Sequence, residues 1–162
     1  MKKPKYHSIK EATQKLMRFC TYRERCHKEV NEKLMEMRMI PEARDYIIDH
    51  LIRHDFLNET RFSQAFARGK FRIKKWGKVR IVRELKLRDI SPYNIQIALK
   101  EIPQEAYLET FDTLFQKRLK ALENEDDKVR KRQKLASYLF YRGWESELVY
   151  DAIREAFKND GS

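Results

Sequence analysis

Apolar residues recur at intervals of three and four along most of the chain, the pattern of one buried stripe on an amphipathic helix. Val30 and Leu34, Ile47 and Leu51, Ile81 and Leu85, Ile95 and Leu99, Leu135 and Leu139, and Val149 and Ile153 all keep this spacing. No stretch alternates as a half-buried strand requires. Helix starts are marked too. Ser8 with Glu11 and Thr21 with Glu24 have the spacing of capping boxes. Pro41, Pro92 and Pro103 follow Ile40, Ser91 and Ile102 and suit a first helical turn, where a missing N–H costs nothing. Asn124 or Asp127 is placed to cap the next helix, and Ser146 the last. These signals predict nine helices, over residues 9–19, 22–38, 42–54, 59–72, 78–88, 92–101, 104–123, 127–141 and 146–158.

The helices repeat. An apolar pair four apart is followed five residues later by another apolar residue: Val30, Leu34, Met39; Ile81, Leu85, Ile90; Leu135, Leu139, Trp144. A second pair four apart follows each time, and one further amphipathic helix precedes each set. The period is about 50 residues. The expected fold is all-α, three tandem three-helix repeats in an elongated, curved molecule, because such repeats bury their faces partly against neighbours. The repeats are placed at 1–57, 58–103 and 104–162. A short turn joins the second and third helices of each, as in a helix-turn-helix.

Composition agrees with a folded chain: 41% of residues are hydrophobic, and only four glycines and four prolines punctuate 162 positions. That is too few turns for a sandwich or barrel. The longest purely apolar run is the four residues Tyr138 to Tyr141, and the start MKKPKYHSIK has no apolar core for a signal peptide. The expectation is a cytoplasmic protein with no membrane span. An even spread of polar residues suggests a monomer. Cys20 and Cys26, with five residues between them, match no common zinc or redox spacing and are read as free thiols.

Charge changes the picture more. The chain carries a net charge of +11, which points to polyanions. Residues 1–57 hold 13 basic and 9 acidic groups, residues 58–103 hold 12 and 4, and residues 104–162 hold 11 and 12. Within the middle repeat, KFRIKKWGKVRIVRELKLR (70–88) has nine basic residues and one acid, Glu84. An ordinary solvated helix face mixes signs, as Glu29 and Lys33 do. The candidate contact residues are therefore Lys70, Arg72, Lys74, Lys75, Trp76, Lys78, Arg80, Arg83, Lys86 and Arg88. On helix 78–88, Ile81, Val82 and Leu85 share one side, with Arg80 and Arg83 opposite and Lys86 on the flank.

A search for catalytic chemistry yields nothing that stands together. His50 and His54 share a helical face, but Leu51 sits where a zinc hydrolase of this spacing carries its glutamate base. The four glycines, Gly69, Gly77, Gly143 and Gly161, are isolated and form no phosphate loop. No enzymatic activity and no cofactor are expected. Phe66, Phe71, Trp76, Tyr138, Phe140, Tyr141 and Trp144 lie near basic residues. Rings at helical spacing usually belong to a core, and Trp76, in a turn between basic residues, is the exception most suited to stacking on a base.

Several fragments resemble the RecX family, regulators of the bacterial RecA recombinase. KLMRFCTYRERCHKEVNEKL (15–34) is similar to its opening, and FLNETRFSQAF (56–66) to the stretch joining its first units. WGKVRIVRELKLRDIS (76–91) resembles its Gly, Ile, Glu-Leu, Ile pattern, and YRGW (141–144) its last Arg-Gly-aromatic turn. The resemblance runs from about Leu16 to Phe157. Asn58 and Glu59 stand where the family usually has two aspartates, Trp144 where phenylalanine is commoner, and no glycine precedes Ile90. The resemblance implies a non-enzymatic protein that binds the RecA–DNA filament and modulates, mainly inhibits, ATP hydrolysis and strand exchange. Its binding to bare DNA would be weak and blind to sequence. A self-sufficient helix-turn-helix DNA-binding protein is the alternative, and a metal enzyme built on His50 and His54 a third.

Overall fold

The apolar stripe of each predicted helix is the side that packs inward. In the computed structural model, Leu16, Val30, Leu34, Ile47, Leu51, Ile81, Leu85, Leu135, Leu139 and Val149 are all fully buried. The structure describes residues 7–160, so part of the stretch read for a signal peptide, and Gly161, lie outside the described residues. Among these the chain is all-α. The helices are α1 (Ile9–Tyr22), α2 (His27–Glu36), α3 (Pro41–Arg53), α4 (Glu59–Lys74), α5 (Lys78–Leu87), α6 (Pro92–Leu99), α7 (Gln104–Ala121), α8 (Lys128–Tyr141) and α9 (Ser146–Phe157). A short 3₁₀ turn, Lys158–Asp160, closes the described chain. No helix among the described residues is long and apolar enough to cross a membrane.

The apolar residue that recurs five positions after each pair has a local cause. At the end of α2, Arg38 adopts φ 61°, its amide donates to the Met35 carbonyl, and the Met39 amide donates to the Leu34 carbonyl. At the end of α5, Asp89 has φ 58° and the Ile90 amide reaches the Leu85 carbonyl. At the end of α8, Gly143 has φ 88° and the Trp144 amide reaches the Leu139 carbonyl. Each is a Schellman turn, in which the residue after the left-handed position packs back on the last helical turn. Met39, Ile90 and Trp144 are all buried accordingly. The α3 end repeats the geometry at Asp55, where φ is 62° and the Phe56 amide bonds to Leu51.

The helix starts agree in part with the sequence signals. Ser8 Oγ accepts from the Glu11 amide at 3.1 Å, Asp127 accepts from the Val129 and Arg130 amides, and Pro41 occupies the first turn of α3. Ser146 is the first residue of α9 rather than its cap. The Thr21–Glu24 capping box does not form. Thr21 lies inside α1, its hydroxyl donating to the Met17 carbonyl, and α2 begins only at His27. Its cap comes from outside the helix: Glu59 Oε1 accepts the His27 amide at 3.1 Å. A carboxylate 32 positions away does what a local side chain was expected to do.

Two units can be distinguished by internal contacts. One takes the chain up to Phe66 together with Leu85–Ala98, and the other takes Ala67–Glu84 together with the chain from Leu99 onward. In the first, Leu16, Leu34, Ile47 and Leu51 make the centre of the core, with Leu57 against them. The start of α4 is tied in by polar contacts. Asn58 Oδ1 caps the Arg61 amide, and Arg61 Nε donates to Glu24 at 2.6 Å. Thr60 donates to Asn94 at 2.7 Å. In the second, the core is aromatic: Trp144 lies 4.5 Å from Tyr107 and 5.4 Å from Phe111, ring centre to ring centre.

Candidate polyanion interface

The α5 helix begins in the second unit with its amides already engaged. Gly77 N donates to the Arg142 carbonyl at 2.8 Å, Lys78 N to the Tyr107 hydroxyl at 2.8 Å, and Val79 N to the Gly143 carbonyl at 3.0 Å. Tyr107 passes the chain on by donating to Glu145. Burial first, and that bond second, push the Tyr107 hydroxyl pKa up, so it stays a neutral donor. The donors left over at a helix start are thus met by protein groups. This anchors the basic residues that follow.

The ten candidate residues divide into two kinds. Arg72, Lys74, Lys75, Arg83 and Lys86 are exposed. Among the described residues no carboxylate stands within ion-pair distance of any of these five. Lys75 Nζ donates to the Arg72 carbonyl. The remaining five, Lys70, Trp76, Lys78, Arg80 and Arg88, are half-buried and take part in packing. Arg80 lies 4.2 Å from the centre of the Trp76 ring and 4.9 Å from that of Tyr141, and donates to the Tyr141 carbonyl. Lys70 stands 5.0 Å from the Trp76 ring. Lys78 lies over Tyr107 at 4.5 Å and reaches Gln104. In the first unit, Arg88 lies 4.8 Å from the Phe66 ring.

The structure brings together Lys70, Trp76, Arg80 and Tyr141 as a stack of alternating cations and rings. Guanidinium over an aromatic face is attracted by the ring quadrupole, and the stack holds Trp76 in place. Sequence reasoning placed Arg80 on the free basic side of α5, and the stack is where it goes instead.

A second basic group was hidden by the balanced charge of residues 104–162. The α8 segment KVRKRQK (128–134) carries five of its bases within seven residues, the signal that a finer window exposes. Arg118, Arg130, Lys134 and Arg142 line one concavity of about 390 Å³ with Gln133, Ser137, Tyr138 and Tyr141.

The His50 and His54 rings lie 4.2 Å apart at the end of α3. Among the described residues, no three His, Cys, Asp or Glu side chains surround a common metal position. Cys20 and Cys26 are free and buried. Burial pushes their thiols up to about 11 and about 12.

Three-helix repeats whose second and third helices are joined by Schellman turns, with exposed cations on and beside α4 and α5, define an all-α helical-repeat protein. The comparisons with known proteins narrow that class. Residues 58–99 match the family model for the RecX second three-helix domain, and residues 105–153 that for the third. Together they take in more than half of the chain, and the chain belongs to the RecX family.

Among curated relatives, the regulatory protein RecX of Listeria monocytogenes is 28% identical over 148 residues, 91% of this chain and 55% of that protein. Those of Bacillus pumilus and Clostridium acetobutylicum are 26% and 28% identical, over 93% and 82% of this chain. The chain spans 55%, 57% and 63% of the length of these three relatives. A crystal structure of regulatory protein RecX superposes with a TM-score of 0.78 at 21% identity, covering 91% of this chain and 71% of that one. RecX from Lactobacillus salivarius does so with 0.77 at 22% identity, covering 93% and 96%. These structural likenesses support the all-α repeat fold.

Proposed function

We propose that this protein is a non-enzymatic cytoplasmic regulator of DNA repair and recombination that binds the RecA–DNA filament and lowers its ATP hydrolysis and strand exchange. The observation that carries this reading is the set of exposed cations Arg72, Lys74, Lys75, Arg83 and Lys86, left without carboxylate partners in a chain of the RecX family. Such side chains meet phosphate or protein carboxylate, and arginine holds either with paired hydrogen bonds. If about six bases of the 70–88 stretch meet phosphate, log K falls with log salt at a slope of roughly −4 to −5. The division into repeats at residues 57 and 103 belongs to the same reading, with the middle repeat supplying the contact surface.

The test adds purified protein to RecA, single-stranded DNA and ATP and follows hydrolysis. The expected result is inhibition, with tighter binding to RecA-coated DNA than to bare DNA. Unchanged hydrolysis and filament lifetime near one protein per RecA would refute it. The helix-turn-helix alternative gains little from the middle repeat. The third helix of the middle repeat, α6, is eight residues long and has no Arg or Lys to meet phosphate, and its Asn94 is engaged by Thr60.

A further inference from the structure

We infer that the concavity between α7 and α8 is a second anion site, which receives a nucleotide unit of a single-stranded nucleic acid. Four cations line it, Arg118, Arg130, Lys134 and Arg142, and no carboxylate does. Arg118 and Arg142 both lie against the Tyr138 ring, at 5.0 and 4.1 Å, and among the described residues neither meets a carboxylate. Arg118 Nε is buried with no hydrogen-bond partner. Glu125, outside the lining, sits 3.1 Å from Lys134 and 3.9 Å from Arg130, leaving the cluster with excess positive charge.

The ligand class follows from size and ring content. A volume of about 390 Å³ exceeds a lone carboxylate or phosphate and suits a phosphate with its sugar and base. Tyr141 is 71% exposed and offers ring surface for stacking, a contact that any base satisfies. Tyr141 also touches Arg80, so the cation and ring stack running from Lys70 through Trp76 continues into this concavity. A strand bound along that line would meet both sites. The inference rests on the nucleoprotein reading above but on different residues.

The test is fluorescence anisotropy with a labelled oligothymidylate in a salt titration, without RecA. Arg130→Gln with Lys134→Gln removes two exposed cations, and circular dichroism checks that helicity is kept. The expected result is about tenfold weaker binding, with the salt slope smaller by roughly 1.4, two contacts at about 0.7 each. Photocrosslinking of a bromodeoxyuridine oligonucleotide is expected to label Tyr138 or Tyr141. Affinity and slope equal to the unsubstituted protein overturn the site, as does displacement of the oligonucleotide by a polyglutamate peptide at equal charge concentration. If oligonucleotide binding depends on Arg130 and Lys134 while RecA hydrolysis is unaffected by the protein, the site stands and the proposed function falls.

Discussion

Gly77 and Gly143 meet backbone to backbone: a Cβ built on Gly77 would stand 2.3 Å from the Gly143 carbonyl oxygen. A Cβ on Gly143 would stand 2.2 Å from Arg80 Cβ. Two of the fragments that carried the family resemblance, WGK and YRGW, are therefore one contact. It seats the start of α5, and with it the cations of the middle repeat. Gly143→Ala adds a forbidden φ of 88° to this overlap and is expected to destabilise the fold by at least about 2 kcal/mol. Gly69→Ala is the control. Its Cβ meets nothing within 4 Å and lies inside α4, so a gain of about 0.5–1 kcal/mol is expected. Urea denaturation followed by circular dichroism measures both.

Arg38 closes α2 in a left-handed conformation that an L side chain adopts at a cost of roughly 1–2 kcal/mol. Arg38→Gly relieves it, offset in part by the greater freedom of glycine in the unfolded chain. A net gain of roughly 0.5 kcal/mol is expected, read as a higher thermal midpoint. A lower midpoint would mean that the arginine side chain contributes more than its backbone costs.

The division of the cations into exposed and packed groups separates binding from folding. Lys74→Glu, Lys75→Glu and Arg83→Glu together are expected to abolish any effect on RecA hydrolysis while thermal stability changes little, because these side chains are exposed and unpaired. Arg80→Glu is expected to lower stability by about 1–3 kcal/mol, since it breaks contacts with Trp76 and Tyr141 and places a carboxylate among them. Melting curves beside hydrolysis assays distinguish the two.

Glu59→Ala removes the acceptor that caps α2 from a distance and is expected to cost about 1 kcal/mol. Glu59→Gln keeps an acceptor oxygen and is expected to recover most of the loss. Equal losses in the two variants would assign the effect to charge rather than to the cap.

The buried thiols set an alkaline limit. Cys20 and Cys26 rise from 9.0 to about 11 and about 12 on folding, chiefly by desolvation. Well below pH 9 both are neutral folded and unfolded, and their full contribution is present. Between pH 9 and about 11 the unfolded chain ionises first, so stability is lost as pH rises. The denaturation midpoint is expected to hold from pH 7 to 8.5 and to fall above 9. The fall is expected to be shallower in Cys26→Ala, and native thiols at pH 8 are expected to react slowly with a disulfide reagent.

The amino-acid sequence determined the helices, their number among the described residues and their threefold order. Those features depend on apolar spacing and on turn geometry within about six positions, and the Leu34–Met39, Leu85–Ile90 and Leu139–Trp144 pairs already carry the Schellman turns. The same local record showed where cations concentrate on the middle repeat. Tertiary structure decided which of them are available. Arg80 and Arg83 look alike on a helical projection, and packing against Trp76 and against Tyr141, 61 positions away from Arg80, half-buries one and leaves the other in solvent. It decided the cap of α2, supplied by Glu59, and it gathered Arg118, Arg130, Lys134 and Arg142 from two helices and a turn. Charge counted along a chain averages over such groups, whereas the field at a surface depends on distances that folding alone sets.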